Sequence, residues 1–400
     1  MSLTKPGLAL ASLALTLGVL EGAARLLLPA DVQGKEAGTI ALYTEHDPRL
    51  GWRKRPGAHA TFKRREYSVE VAINGHGLRD KERDYQAPPS TFRVLALGDS
   101  FIEAYSVPLP ASVTQVLEAS LDRPGCRTEV LNGGTAAYST DQEYLFYREE
   151  GTRYAPDVVV LFFYFNDVLF NALADHFGTP KPLLVARDGG LVIANDPVPP
   201  PPRPRVPLPP AAEAAAPERP RSVLFDWVRQ RLRRGAPGAY AALARTGLWP
   251  VPRVESPHDQ LKVYRTRPIG DIEAAWEATA TILTVLEREA KSDGANLLVA
   301  YVPSRMEVSD RDWDLTQRRY GMEAGKWDRG RVVQRLAEIG RTAGFPVLDL
   351  TGPLRAAQGT WAGPYYVDDG HWNALGHRVA AQEVERDLRQ RGWLPACATR

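Results

Sequence analysis

The sequence predicts a three-layer α/β/α protein around a central parallel sheet of five strands. From Phe92 onward, short apolar runs alternate with longer amphipathic stretches, the pattern of successive βαβ units. A chain of 400 residues, 44% of them hydrophobic, can also fill the core such a fold needs.

Taken in order, the apolar runs place strands at Phe92 to Leu97, Thr128 to Leu131, Asp157 to Phe163, Asn296 to Val302 and Pro346 to Leu350. Amphipathic periodicity places helices between them at about Ser112 to Leu121, Asp141 to Glu150, Ile272 to Ala290 and Arg331 to Ala343, with a last one at Ala374 to Gln390. In open sheets of this kind ligands bind at the carboxyl ends of the strands, so catalytic residues should follow directly on apolar runs.

Two regions break the alternation. Residues 168–270 form an insertion whose middle, 197–220, is dominated by proline, a composition that gives extended polyproline II and no packed element. Beyond it, Arg221 to Arg234 reads as a short amphipathic helix with a basic face.

At the N-terminus, Lys5 precedes an uncharged apolar run from Gly7 to Leu20, followed by Glu21, Arg25 and Leu26 to Leu28. As one helix this reaches roughly 30 Å, with Glu21 and Arg25 spaced to pair, which makes a transmembrane signal anchor the first reading. A cleaved signal peptide, using the small residues Gly22 to Ala24, and a buried core helix are the alternatives. Either of the first two exports the rest of the chain, with Lys5 retained on the cytoplasmic side.

Composition excludes several classes. Fifty basic and 48 acidic side chains leave a net charge of +2, which gives no general attraction to nucleic acid. Cys126 and Cys397 are the only cysteines, too few for a disulfide framework and without zinc-ligand spacing, although they could pair in an oxidising compartment. Dinucleotide, phosphate-loop and H-E-x-x-H motifs are absent, as is G-x-S-x-G. No cofactor and no metal are therefore expected, and oligomeric state is left open.

Two segments carry chemistry. Val94 to Leu97 runs straight into Gly98-Asp99-Ser100-Phe101, which sets the Ser100 hydroxyl at a strand's carboxyl end. Near the C-terminus, Asp368-Asp369-Gly370-His371-Trp372 offers a histidine base with two aspartates near enough in sequence to orient it. His377 falls inside the last helix and reads as structural.

These segments resemble the first and last blocks of the SGNH/GDSL hydrolases, and they occur in that family's order. Val130 to Tyr138 is similar to the second block, with Ala137 aligned where the family has its oxyanion-hole glycine and Gly134 as the alternative. Tyr164-Phe165-Asn166-Asp167 is similar to the third, with Tyr164 in place of a glycine. Asp47 to Trp52 and Asn74 to Asp80 resemble the lead-in of bacterial membrane-anchored members.

The resemblance implies a flavodoxin-like SGNH fold and a serine esterase or carbohydrate O-deacetylase working through an acyl-enzyme. Ser100 would be the nucleophile and His371 the base. The D-x-x-H pattern selects Asp368 as its partner, whereas Asp-Gly-His-Trp, similar to alginate-acetyltransferase-like relatives, selects Asp369, which is preferred. The oxyanion hole would comprise the N–H of Ser100, the N–H of Ala137 or Gly134, and the side-chain amide of Asn166.

The chain would then divide into an anchor or signal peptide (1–30), a lead-in segment (31–91), a hydrolase domain (92–167 and 271–400) and the insertion (168–270). Partners would be an acylated small molecule or polysaccharide and, through the first helix, a membrane; the domain would lie outside the cytoplasm, or be secreted after cleavage. A carbohydrate O-acetyltransferase on the same triad is the close alternative. A catalytically silent binding protein is another, motivated by Ala137 and Tyr164, and an adaptor recruiting a partner through Pro199 to Pro210 is a third.

Overall fold

The computed structural model describes residues 5–27, 40–201, 222–246, 259–359 and 363–395. Most of the proline-rich stretch and Cys397 lie outside the described residues.

Chain order begins with helix α1 (Lys5–Leu27), followed by two antiparallel hairpins, β1 (Thr44–Asp47) with β2 (Gly51–Lys54) and β3 (His59–Lys63) with β4 (Ser68–Ala72). Next come β5 (Phe92–Leu97), α2 (Ser100–Glu103), α3 (Val113–Leu121), β6 (Thr128–Asn132), α4 (Thr140–Glu149), β7 (Val158–Tyr164) and α5 (Asp167–Phe170). The insertion contributes two small hairpins, β8 to β11, between Asp175 and Ile193, and helices α6 (Val223–Gly235) and α7 (Pro237–Thr246). The chain then returns through α8 (Asp271–Ser292), β12 (Asn296–Val302), α9 (Arg305–Val308), α10 (Asp310–Tyr320), α11 (Arg331–Ala343), β13 (Val347–Asp349), α12 (Thr351–Ala357) and α13 (Ala374–Gln390).

The central sheet has the order β13-β12-β7-β5-β6, with every pair parallel. All five expected strands form, with ends shifted by at most a residue or two. Strand periodicity divides the core into two layers. Leu95, Leu97, Val159, Leu161, Leu297 and Val299 face one cluster, completed by residues of α4, α8 and α11. Val94, Ala96, Val158, Val160, Leu298 and Ala300 face the other, completed by residues of α3 and α13. Strands buried on both faces need apolar residues throughout, which explains why their sequence reads as continuous runs.

The β3–β4 hairpin has its own small core, in which Phe62, Tyr67, Val69 and Val71 pack with Tyr105 and Ala136 from the loops above the sheet. The insertion is joined to the sheet through Lys181, whose fully buried ammonium pairs with the fully buried Asp141 of α4.

At the N-terminus the expected helix forms, and Glu21 and Arg25 pair at 2.7 Å. Glu21 also accepts from the backbone N–H groups of Val223 and Leu224 and from the Ser222 hydroxyl, and so caps α6. Among the described residues no helix is long and apolar enough to cross a membrane. That finding does not support the transmembrane expectation.

Candidate active site

In the sheet order, β5 stands between β6 and β7, so the chain leaves β5 in one direction and returns on its other side. Such a switch point opens a crevice at the strands' carboxyl ends. Ser100, Ala137 and Asn166 follow β5, β6 and β7 respectively and therefore border it.

Ser100 is set by its neighbours. Gly98 lets α2 fold back on the strand, since a methyl group there would collide with Ile102. Asp99 caps the helix, its carboxylate accepting from the Phe101 N–H at 2.8 Å, and burial pushes this carboxyl up to about 6. Ser100 is the first helical residue, so its own N–H has no partner within the helix.

The Ser100 hydroxyl lies 2.7 Å from Nε2 of His371. Nδ1 of the same ring makes a short hydrogen bond to Asp369 Oδ1, and Asp369 Oδ2 accepts from the Tyr67 hydroxyl at 2.9 Å. Phe101 and Tyr105 flank the imidazole, with ring centroids at 4.9 and 5.2 Å. Burial alone would lower the histidine's proton affinity; the charge and hydrogen bond of Asp369, aided by Asp99, outweigh burial and the opposing Arg64, so His371 titrates above its ordinary value. Burial would raise Asp369, but the imidazole and Tyr67 hold it at about 2.

Of the two aspartates, then, Asp369 faces the histidine. Asp368 is turned away, with its carboxylate 3.8 Å from Arg65. His377 lies buried in α13, its Nδ1 accepting from the Val113 N–H at 3.3 Å.

The loop after β6 separates the two oxyanion candidates. Gly133 donates to Ala96 O at 2.8 Å, Thr135 to Gly98 O at 2.9 Å and Tyr138 to Thr135 O at 3.1 Å. Gly134 donates to Asn132 Oδ1 at 3.1 Å and Ala136 to Glu103 Oε2 at 2.6 Å. Gly134 is thus corrected as a donor, because its N–H is already engaged. Its glycine identity serves packing instead, since a side chain there would strike the backbone of α2. Among the described residues the Ala137 N–H has no protein acceptor. Ala137 also has φ 65°, a left-handed conformation that favours glycine.

Asn166 has a buried side-chain oxygen without a partner among the described residues, and neighbouring Tyr164 packs on Phe101 at 5.0 Å. Behind the loop, Lys54 donates to Gly134 O and, at 2.8 Å, to Thr135 Oγ1, while Trp52 Nε1 donates to Ala136 O at 3.1 Å. Burial pushes the Lys54 ammonium down to about 8. Trp52 closes the Asp47 to Trp52 lead-in segment, whereas Lys54, Glu103 and Tyr67 lie in no motif read from the sequence.

These features define the class: a flavodoxin-like α/β protein with a serine–histidine–aspartate constellation at its switch point. Residues 262–399, which include Asp369 and His371, match the family described as SGNH hydrolase-like domain, acetyltransferase AlgX. Over that stretch, about a third of the chain, the protein is similar to the SGNH hydrolase-like family.

Among solved structures it is similar to a variant of Axe2, an acetyl-xylooligosaccharide esterase from Geobacillus stearothermophilus, at 12% identity and TM-score 0.38 over 74% of this chain and 94% of that one. It is similar to the lipase/acylhydrolase from Enterococcus faecalis at 12% identity and TM-score 0.36, over 75% and 96%. A two-domain esterase active on acetylated mannans gives 9% identity and TM-score 0.37, over 75% and 49%. Likenesses at this level carry no information on substrate. No curated protein matches the sequence.

Proposed function

We propose that the protein is a serine esterase or O-deacetylase that works through an acyl-enzyme on Ser100. The observation that supports this reading is the 2.7 Å hydrogen bond between Ser100 Oγ and a His371 imidazole whose other nitrogen is bound by Asp369. Nε2 takes the hydroxyl proton as Oγ attacks the acyl carbonyl, and Asp369 stabilises the imidazolium that results. The N–H groups of Ser100 and Ala137 and the Asn166 amide hold the oxyanion. The imidazolium then protonates the departing alcohol, and water releases the acid from Ser100.

A second reading, transfer of the acyl group to a sugar hydroxyl, is favoured by the AlgX acetyltransferase match. Both readings form the same acyl-enzyme from an acylated small molecule or polysaccharide. They differ only in what resolves the acyl-enzyme.

Hydrolysis of p-nitrophenyl acetate, with fluorophosphonate labelling, tests the common part. Activity and label that both vanish in Ser100→Ala support it; a folded wild-type protein with neither overturns it. Adding an oligosaccharide acceptor then separates the two readings, since a transferase forms acetylated sugar at the expense of free acetate.

We further place the domain outside the cytoplasm, anchored or released through its N-terminal segment. Cell fractionation tests this, and recovery in the cytosol would overturn it.

A further inference from the structure

The turn of the β3–β4 hairpin touches the histidine loop through two adjacent residues, neither part of the triad. One carboxylate oxygen of Glu66 accepts from the Val367 N–H at 2.8 Å; the other accepts from Asp368 and Asp369 at 2.8 and 3.0 Å. Three consecutive backbone donors thus converge on one side chain, an arrangement that fixes a loop's path as a bound anion would. Tyr67 supplies the bond to Asp369 Oδ2.

The hairpin is itself held in place by packing. Phe62 lies 4.3 Å from Tyr105 and Tyr67 lies 4.9 Å from Tyr366, centroid to centroid. Tyr105 in turn contacts the His371 ring, its hydroxyl 3.3 Å from Nε2.

We propose that Glu66 and Tyr67 are positioning residues: the lead-in hairpin sets the Asp369 carboxylate, and through it the orientation of His371. This rests on the serine-hydrolase reading for its catalytic consequence, but not for its geometry. A general base misplaced by about 1 Å can lose about 100-fold in rate, so the clamp's effect should appear in kcat.

The test compares Glu66→Ala, Glu66→Gln and Tyr67→Phe with Glu70→Gln, an exposed control on the same hairpin whose carboxylate bonds Thr61. Two measurements are made on the full chain. In the first, Glu66→Ala should lower kcat for p-nitrophenyl acetate about 10- to 100-fold with KM within about twofold, Glu66→Gln and Tyr67→Phe should lower it less, and Glu70→Gln should leave it unchanged.

The second follows the His371 imidazole by NMR and needs no turnover. The charged groups facing this ring are Asp369 and Asp99, which favour its protonation, and Arg64, which opposes it. Displacing Asp369 should move the titration midpoint of His371 about one pH unit lower in Glu66→Ala. A folded Glu66→Ala with the wild-type midpoint overturns the clamp even if the protein has no esterase activity. A shifted midpoint in Glu66→Ala, together with a wild type that never labels, would instead retain the clamp and sink the esterase reading. If Glu66→Ala does not fold, Tyr67→Phe decides by the same two measurements.

Discussion

Ser100 and His371 stand 271 positions apart in the chain and 2.7 Å apart in space. The sheet produces this meeting, since β5 delivers the serine at the switch point and the loop before α13 returns over it. The histidine's orientation depends on Asp369, which fixes Nδ1 as the protonated nitrogen and leaves Nε2 free to accept from Ser100. Asp369→Asn should therefore reduce kcat by about 10⁴, the scale expected when the wrong tautomer is stabilised. Asp368→Asn should stay within a few-fold of wild type, measured with p-nitrophenyl acetate. Equal losses in both would contradict the assignment.

The pH profile follows from the same pair. His371 must be neutral to act as base, and its proton affinity is raised, so activity should climb with an apparent midpoint above the unperturbed value of 6.5. Stability runs the other way. A group whose folded pKa is raised contributes stability in full below its unfolded value, and loses it as pH rises through the folded one. Asp369 is depressed to about 2 from 3.8, so its contribution is present above 3.8 and is lost as pH falls toward 2. Labelling rate and denaturant midpoint, each measured from pH 3 to 9, check both signs; a labelling midpoint below 6.5 would contradict the first.

Much of this was legible in the sequence because it is written in local patterns. Burial on both faces forces apolar strands, and the tight strand-to-helix turn forces Gly98, so β5 and Ser100 could be read together. The choice between Asp368 and Asp369 was harder to read, since both lie within reach by sequence and only the turn of the loop separates them. Glu66, Tyr67 and Lys54 were illegible for a different reason. Each acts across the fold on a distant segment, Glu66 and Lys54 on its backbone and Tyr67 on the Asp369 carboxylate, and such long-range partners leave no residue pattern to match. The charged pair Glu21–Arg25 was visible, but its attachment to α6 was not.

Ala137 combines an unengaged N–H with a left-handed backbone, and the second property can be changed without the first. That conformation costs a non-glycine residue about 1–2 kcal/mol, while glycine gives back about 0.5–1 kcal/mol through its freer unfolded chain. Ala137→Gly should then be neutral to about 1.5 kcal/mol more stable, with activity retained because the N–H remains. Chemical denaturation and the esterase assay read the two effects separately. A clear loss of stability would mean that the methyl group's packing outweighs the strain.

Lys181 and Asp141 form a pair with neither side chain exposed, and the ammonium also donates to Phe170 O at 2.9 Å. Burial lowers the lysine's proton affinity, and Asp141 is the principal group opposing that. Removing one member leaves the other charge buried and uncompensated, which typically costs about 3–5 kcal/mol. Lys181→Met should therefore destabilise the protein by that amount in urea unfolding, although its apolar stem fits the site. The double variant Lys181→Met with Asp141→Leu should recover most of the loss, because what the single variant costs is the orphaned carboxylate and not the lost attraction. If the double variant is as unstable as the single, the pair's hydrogen bonds to the insertion, and not its charge balance, hold residues 168–201 against α4.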